Sequence, residues 1–249
     1  MDDKVIETYK EGCNFYYGQE GYPLDYGKAL ELFTKAAEGG VSNAMNNIGV
    51  MYLDGKGVPQ DYTKAFDMFY KALNADNGNY LAYHNVARMY HNGFGVSKSF
   101  EKACECYTSA IQLNPTKNDS IYVNDCFNVG CIYTNQKRLR EAFAYFEEAA
   151  TKGNMPEAWH NMGYICSNKG IPGGTRKTSF PYFLKAAMLG YVPSMYEVGC
   201  IYISEMKYDE GIAWVEKAAA RGYEPAVKNL KRFKAARAAY RGSIFDFFG

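Results

Sequence analysis

The sequence predicts an all-α protein, a solenoid of about six stacked helix–turn–helix units closed by a C-terminal helix. Three observations predict it. A phrase, Gly-x-x-Tyr, a loop, then Ala-x3-Phe-x2-Ala-Ala, recurs six times along the 249 residues, with substitutions such as Ala87, Tyr107, Cys166 and Val215. Its second half places Ala36, Ala72, Ala110, Ala149, Ala186 and Ala218 at intervals of 36, 38, 39, 37 and 32 residues. A fixed period in this range is the mark of stacked supersecondary units that bury one another's apolar faces. Apolar residues make up 47% of the chain, enough for one continuous core.

Each unit follows from local chemistry. In the second copy, Met45, Ile48, Met51 and Tyr52 fall at helical spacing and form one apolar stripe on a first helix, here called helix A. Gly49 interrupts it, although Gly costs about 1 kcal/mol against Ala inside a helix. The residue recurs as Gly12, Gly130, Gly163 and Gly199, with Ala87 the variant. Close approach of the second helix, helix B, is the physical reason assigned to this signature position.

Helix B is expected to start at Asp25, Asp61 and Ser99, all good N-caps. It is apolar over a wide arc, for example Phe66, Met68 and Phe69 in the second copy. Gly40, Gly153, Gly190 and Gly222 suit left-handed C-terminal caps. Pro156, Pro193 and Pro225 follow three residues after the last three and restart the chain. The units are expected near 5–40, 44–76, 82–114, 125–153, 158–190 and 194–222. The irregular stretch 113–119 is the expected flexible joint. Residues 226–242 read as a basic capping helix with Leu230 and Phe233 on its apolar side. Residues 243–249 form an aromatic tail.

The formal charge is +1, with no global pull toward nucleic acid or acidic lipid. Residues 226–249 carry a net +5 and the rest −4. The only candidate nucleic-acid patch is therefore the basic helix from Lys228 to Arg241. Read as a native start, Met1-Asp2-Asp3-Lys4 has no apolar leader, and no run approaches the ~18 apolar residues of a membrane span. A cytoplasmic location is expected on that reading.

The seven cysteines are read as small buried hydrophobes. Cys104 and Cys106, two apart in a helix, point to nearly opposite faces and cannot grip one metal.

Residues 54–62, Asp-Gly-Lys-Gly-Val-Pro-Gln-Asp-Tyr, are followed by Lys64-Ala65 and Lys71-Ala72. Together they resemble the Sel-1-like repeat, a longer-looped relative of the tetratricopeptide repeat. Asn92-Gly93-Phe94-Gly95-Val96 repeats the loop, and the resemblance covers roughly residues 5–226. The fourth and sixth copies have short loops closer to plain tetratricopeptide repeats. The resemblance implies a right-handed superhelix of antiparallel helix pairs, with the A helices lining a concave wall. It also implies work as an adaptor or scaffold in protein complexes.

By that geometry a polar ladder faces the groove. Two residues before the signature position stand Asn47, Asn85, Asn128 and Asn161; beside them lie His84, Arg88, His91, His160 and Tyr164. An Asn offers donor and acceptor to a peptide amide, and Arg88 suits a bidentate carboxylate. The alternative is that these Asn side chains bridge neighbouring helices.

Enzymatic motifs are missing from the sequence. No Gly-x-Ser-x-Gly or Cys-x-x-Cys occurs, and the Gly-x-Gly-Val loops follow no strand and so are not phosphate cradles. His84 and His91, seven apart, sit ~10 Å apart along a helix and cannot share a metal. The expected function is therefore non-catalytic, without cofactor: a protein–protein scaffold that takes a peptide or protein segment in its groove. The alternatives are a self-assembling subunit, forming homo-oligomers through Phe245, Phe247 and Phe248, and an enzyme or small-ligand binder.

Overall fold

A computed structural model describes residues 2–19, 21–168 and 173–248, with side chains described through Tyr240. The described residues form thirteen α-helices and no strand. They divide into two compact units, residues 1–129 and 130–249.

Unit 1 contains α1 (Asp3–Tyr17), α2 (Tyr26–Glu38), α3 (Ser42–Asp54), α4 (Tyr62–Ala75), α5 (Tyr80–Asn92) and α6 (Phe100–Leu113). The division falls inside α7 (Ser120–Asn135). Unit 2 continues with α8 (Leu139–Gly153), α9 (Pro156–Ser167), α10 (Arg176–Met188), α11 (Val192–Ser204), α12 (Tyr208–Ala220) and α13 (Glu224–Phe248). Odd-numbered helices up to α11 are the A helices and even-numbered ones the B helices.

The signature glycines sit where a helix B aromatic presses onto helix A. A Cβ on Gly12 would lie 2.8 Å from Phe33, one on Gly49 2.6 Å from Phe69, and one on Gly163 2.8 Å from Phe183. In the sixth copy the neighbour of Gly199 is Val215. Phe33, Phe69, Phe146 and Phe183 are all buried, so each ring is the centre of its pair's core.

The N-caps Asp25, Asp61 and Ser99 accept from the backbone N–H of Lys28, Lys64 and Lys102. Gly40, Gly190 and Gly222 have positive φ after α2, α10 and α12. The expectation at Gly153 is corrected: α8 runs through it, and Asn154 takes the left-handed position with φ 50°. Asn reaches that region at little cost because its short side chain bonds locally.

Within unit 1 the loops after α3 and α5 are packing devices. A Cβ on Gly57 would strike Tyr26, and one on Gly95 the Tyr62 carbonyl, so each loop lies on the first turn of the preceding helix B. Phe94 stacks on Tyr62 at 4.8 Å. Stretch 113–119, expected to be a flexible joint, is knotted by hydrogen bonds. Asn114 is buried and donates to Asp119, while Asp119 accepts from the Tyr122 N–H.

In unit 2, α13 packs Leu230 and Phe233 against the core that contains Met195, Val198 and Val215. It continues past residue 242, to Phe248. The side chains of Phe245, Phe247 and Phe248, on which the self-assembly reading rests, lie outside the described residues. So do residues 169–172, between α9 and α10.

Candidate functional site

The polar ladder divides into residues that hold the repeats together and residues that line open clefts. Asn85 belongs to the first class. It is buried, and it donates to Asn46 on α3 at 2.9 Å and accepts from Arg88 at 3.3 Å. Its side chain therefore spans α3 and α5, the geometry of the bridging alternative. Asn47 likewise points its amide at the Tyr9 hydroxyl (3.5 Å) and the Cys13 sulfur (3.9 Å) of α1. In the last helix Asn229 donates to the Tyr196 hydroxyl at 3.0 Å.

His84 and His160 are each oriented by a buried polar side chain on the next helix A. His84 Nδ1 lies 2.6 Å from Asp125 Oδ1, and Asp125 is fully buried with its second oxygen unpartnered. Burial raises the Asp125 carboxyl pKa, and the hydrogen bond and charge of His84 oppose that shift. His160 Nδ1 lies 2.8 Å from the Oγ of Ser194, also fully buried. Burial pushes His160 down to about 4, so its ring is neutral at physiological pH.

These two partners were not singled out from the sequence, yet a signal exists. Asp125 and Ser194 sit five residues before the signature glycine. Ala44, Ala82 and Ala158 occupy that place in other copies. A polar residue at a small apolar position answers each histidine.

The remaining residues line two clefts, one in each unit. In unit 1, His84, Arg88 and His91 of α5 face Asn124 and Asn128 of α7 over Tyr107, around a volume of about 350 Å³. His91 packs edge-on against Phe100 and Tyr107. Burial, and then the Lys98 charge, lowers its pKa. In unit 2, Cys131, Thr134 and Asn135 of α7 face His160, Asn161 and Tyr164 of α9 over Phe146, around about 480 Å³. Tyr164 is 55% exposed at this site. Burial raises the Cys131 thiol to about 11, so it is protonated and a poor nucleophile.

Among the described residues no cluster of three or more His, Cys, Asp or Glu is placed to hold a metal ion, and no helix is long and apolar enough to cross a membrane. The seven cysteines are free thiols. Cations of the basic helix are partly neutralised: Lys228 pairs with Glu224, Lys234 with Glu216 and Arg237 with Asp209.

Comparison with known proteins identifies the architecture. The Sel1 repeat matches residues 11–41, 42–77, 81–115, 156–191 and 192–223, and a tetratricopeptide repeat matches 126–151. No curated protein matches the chain. Among solved structures it is similar to c5321, a protective antigen of uropathogenic Escherichia coli strains with an SLR fold. That match has a TM-score of 0.74 and 23% identity, over 91% of this chain and 48% of the antigen. This chain thus spans about half the length of that relative. A Sel1 repeat protein from Oxalobacter formigenes matches with a TM-score of 0.63 and 23% identity, over 87% of this chain and 88% of its own. YrrB, a tetratricopeptide protein with an unusual peptide-binding site, matches with a TM-score of 0.58 and 17% identity, over 82% of this chain and 97% of its own. The five matched repeats, four of them with a glycine of one helix set against an apolar or aromatic side chain of the other, show that the chain belongs to the Sel1 repeat family.

Proposed function

We propose that this protein is a non-catalytic interaction scaffold that binds a peptide or protein segment along its A helices. The observation that carries the reading is the unit 1 cleft, where Arg88, His91 and Asn128 converge on one open space. Arg88 spends one nitrogen on Asn85 and keeps further donors for a carboxylate. Asn128 supplies a donor and an acceptor of the kind a peptide amide needs. Behind this wall His84 pairs with Asp125, and Arg88 is the permanently charged side chain among the described lining residues. The likeness in fold to a tetratricopeptide protein with a peptide-binding site supports the same use of the fold.

The test is affinity purification from native lysate with the wild-type chain and with an Arg88→Glu, Asn128→Ala double variant. Proteins captured by the wild type are expected to be lost from the variant, with the helical circular dichroism unchanged. An identical set of captured proteins would remove the cleft from consideration.

A further inference from the structure

The two clefts are one construction at two places in the repeat. Each is walled by residues one, four and five after the signature position of one helix A. Each is floored by the helix B aromatic and closed by the Asn two before the next signature glycine. In unit 1 these residues are Arg88, His91, Asn92, Tyr107 and Asn128. In unit 2 they are Cys131, Thr134, Asn135, Phe146 and Asn161. The paired asparagines are kept. The cation, the imidazole and the floor hydroxyl are replaced by a thiol, a small hydroxyl and a bare ring.

The consequence is electrostatic. Among the described residues no Lys, Arg, Asp or Glu lines the unit 2 cleft. Its imidazole, His160, is neutral because it is buried and held by Ser194, and its thiol is protonated. An ionic group entering this space would shed water and meet no opposite charge, which is costly. An apolar group entering it gains about 25 cal/mol per Å² of buried surface. The exposed Tyr164 offers a ring face, which favours offset or edge-on aromatic partners. Asn161 stands where it can pair with a backbone amide. The 480 Å³ volume falls in the range of about 300–1,000 Å³ typical of small-ligand sites, so a large side chain fits.

We propose that the cleft floored by Phe146 and rimmed by Cys131, Asn161 and Tyr164 takes an uncharged aromatic or branched aliphatic side chain of a bound peptide. This rests on the peptide-binding reading above and assigns the chemistry of the second cleft. The unit 1 cleft is the cationic counterpart, and Cys131 is the position that sets the difference.

The test uses the full chain and a phage-displayed library of random dodecapeptides, followed by fluorescence anisotropy on synthesised hits. Four proteins are compared: wild type, Tyr164→Ala, Cys131→Arg and the Arg88→Glu, Asn128→Ala double variant. Wild-type hits are expected to share a Phe, Tyr, Trp, Leu or Ile, and replacing it by Ala should weaken binding about tenfold, as for a buried anchor. Tyr164→Ala should weaken the same peptides about fivefold or more, since it removes a rim aromatic. Cys131→Arg, which installs the residue type of the unit 1 cleft, should exchange the preference for Asp or Glu. Because Tyr164 is exposed, its truncation keeps the test valid should Cys131→Arg fail to fold.

Hits that keep their affinity within about twofold in Tyr164→Ala, or when the apolar residue is replaced, overturn the assignment. If those hits fail only on the Arg88→Glu, Asn128→Ala variant, peptide binding stands and this inference falls. A library that yields no hit on wild type removes both.

Discussion

Placing a side chain at Gly163 tests the packing on which every repeat depends. A Cβ there would lie 2.8 Å from both Cδ1 and Cε1 of Phe183 and 3.0 Å from Cγ. Carbon atoms pack best at about 3.5–4.0 Å, so the whole ring edge is too close by roughly 0.7 Å. Phe183 is 2% exposed and its ring also meets His160 at 5.3 Å, so it has little room to turn aside. Either α9 and α10 part or the ring leaves its rotamer, at a cost of about 1–3 kcal/mol. Replacing Gly by Ala inside a helix returns about 1 kcal/mol, so Gly163→Ala should lose about 1 kcal/mol net. Gly163→Leu, with three further carbons and a smaller gain in propensity, should lose about 3 kcal/mol or more.

Thermal unfolding followed by far-UV circular dichroism reads these losses. For a chain of this size, 1 kcal/mol moves the Tm by about 2–4 °C. The control is in unit 1. Gly49→Ala meets Phe69 at 2.6 Å, whereas Gly27→Ala meets only the Asp25 carboxylate at 3.4 Å. Gly27→Ala should leave the Tm unchanged or raise it, and Gly49→Ala should lower it. An unmoved Tm in Gly163→Leu, or equal effects at Gly27 and Gly49, would refute close approach as the reason for the recurring glycine.

Three more outcomes follow from the site. Asp125→Ala strips His84 of its partner and should cost about 1–3 kcal/mol. Adding His84→Asn rebuilds the pairing of types seen at Asn46 and Ala82 and should recover much of that loss; additive single effects in a denaturation cycle would contradict the pairing. His160 titrates at about 4 when folded and near 6.5 when unfolded, so the unfolded chain binds the extra proton. The stability it contributes is complete above pH 6.5 and is lost as pH falls toward 4, by at most about 3 kcal/mol. His160→Asn should flatten the urea-midpoint profile across that window, and an unchanged slope would show that the ring titrates normally. Cys131, with its thiol raised to about 11, should react with iodoacetamide at neutral pH much more slowly than an exposed cysteine. Peptide mapping that finds Cys131 among the first sites alkylated would contradict its raised pKa.

Features set by one unit alone were legible in the sequence. The helical stripes, the Asp25, Asp61 and Ser99 caps and the glycine seam all follow from spacing within a single repeat. The seam was inferable because Gly is unfavourable inside a helix, so six copies keeping a small residue at one point require a close neighbour. The exception at Gly153 arose because Asn154 also tolerates the left-handed conformation, a competition that composition does not resolve.

The uses of the polar ladder were not legible, because they depend on which side chain the next unit places opposite. Asn85 and Asn128 occupy the same repeat position, yet one is buried against Asn46 and the other lines a cleft. His84 and His160 look alike in the sequence, but one is backed by a carboxylate and the other by a hydroxyl. The sequence by itself determined the repeat, its helices and the small-residue seam, since these arise from periodicity and local backbone energetics. Only the tertiary structure decided which asparagines bridge and which cleft carries charge. Burial and partner chemistry arise between residues 34–41 apart in the chain, and no spacing within one repeat encodes them.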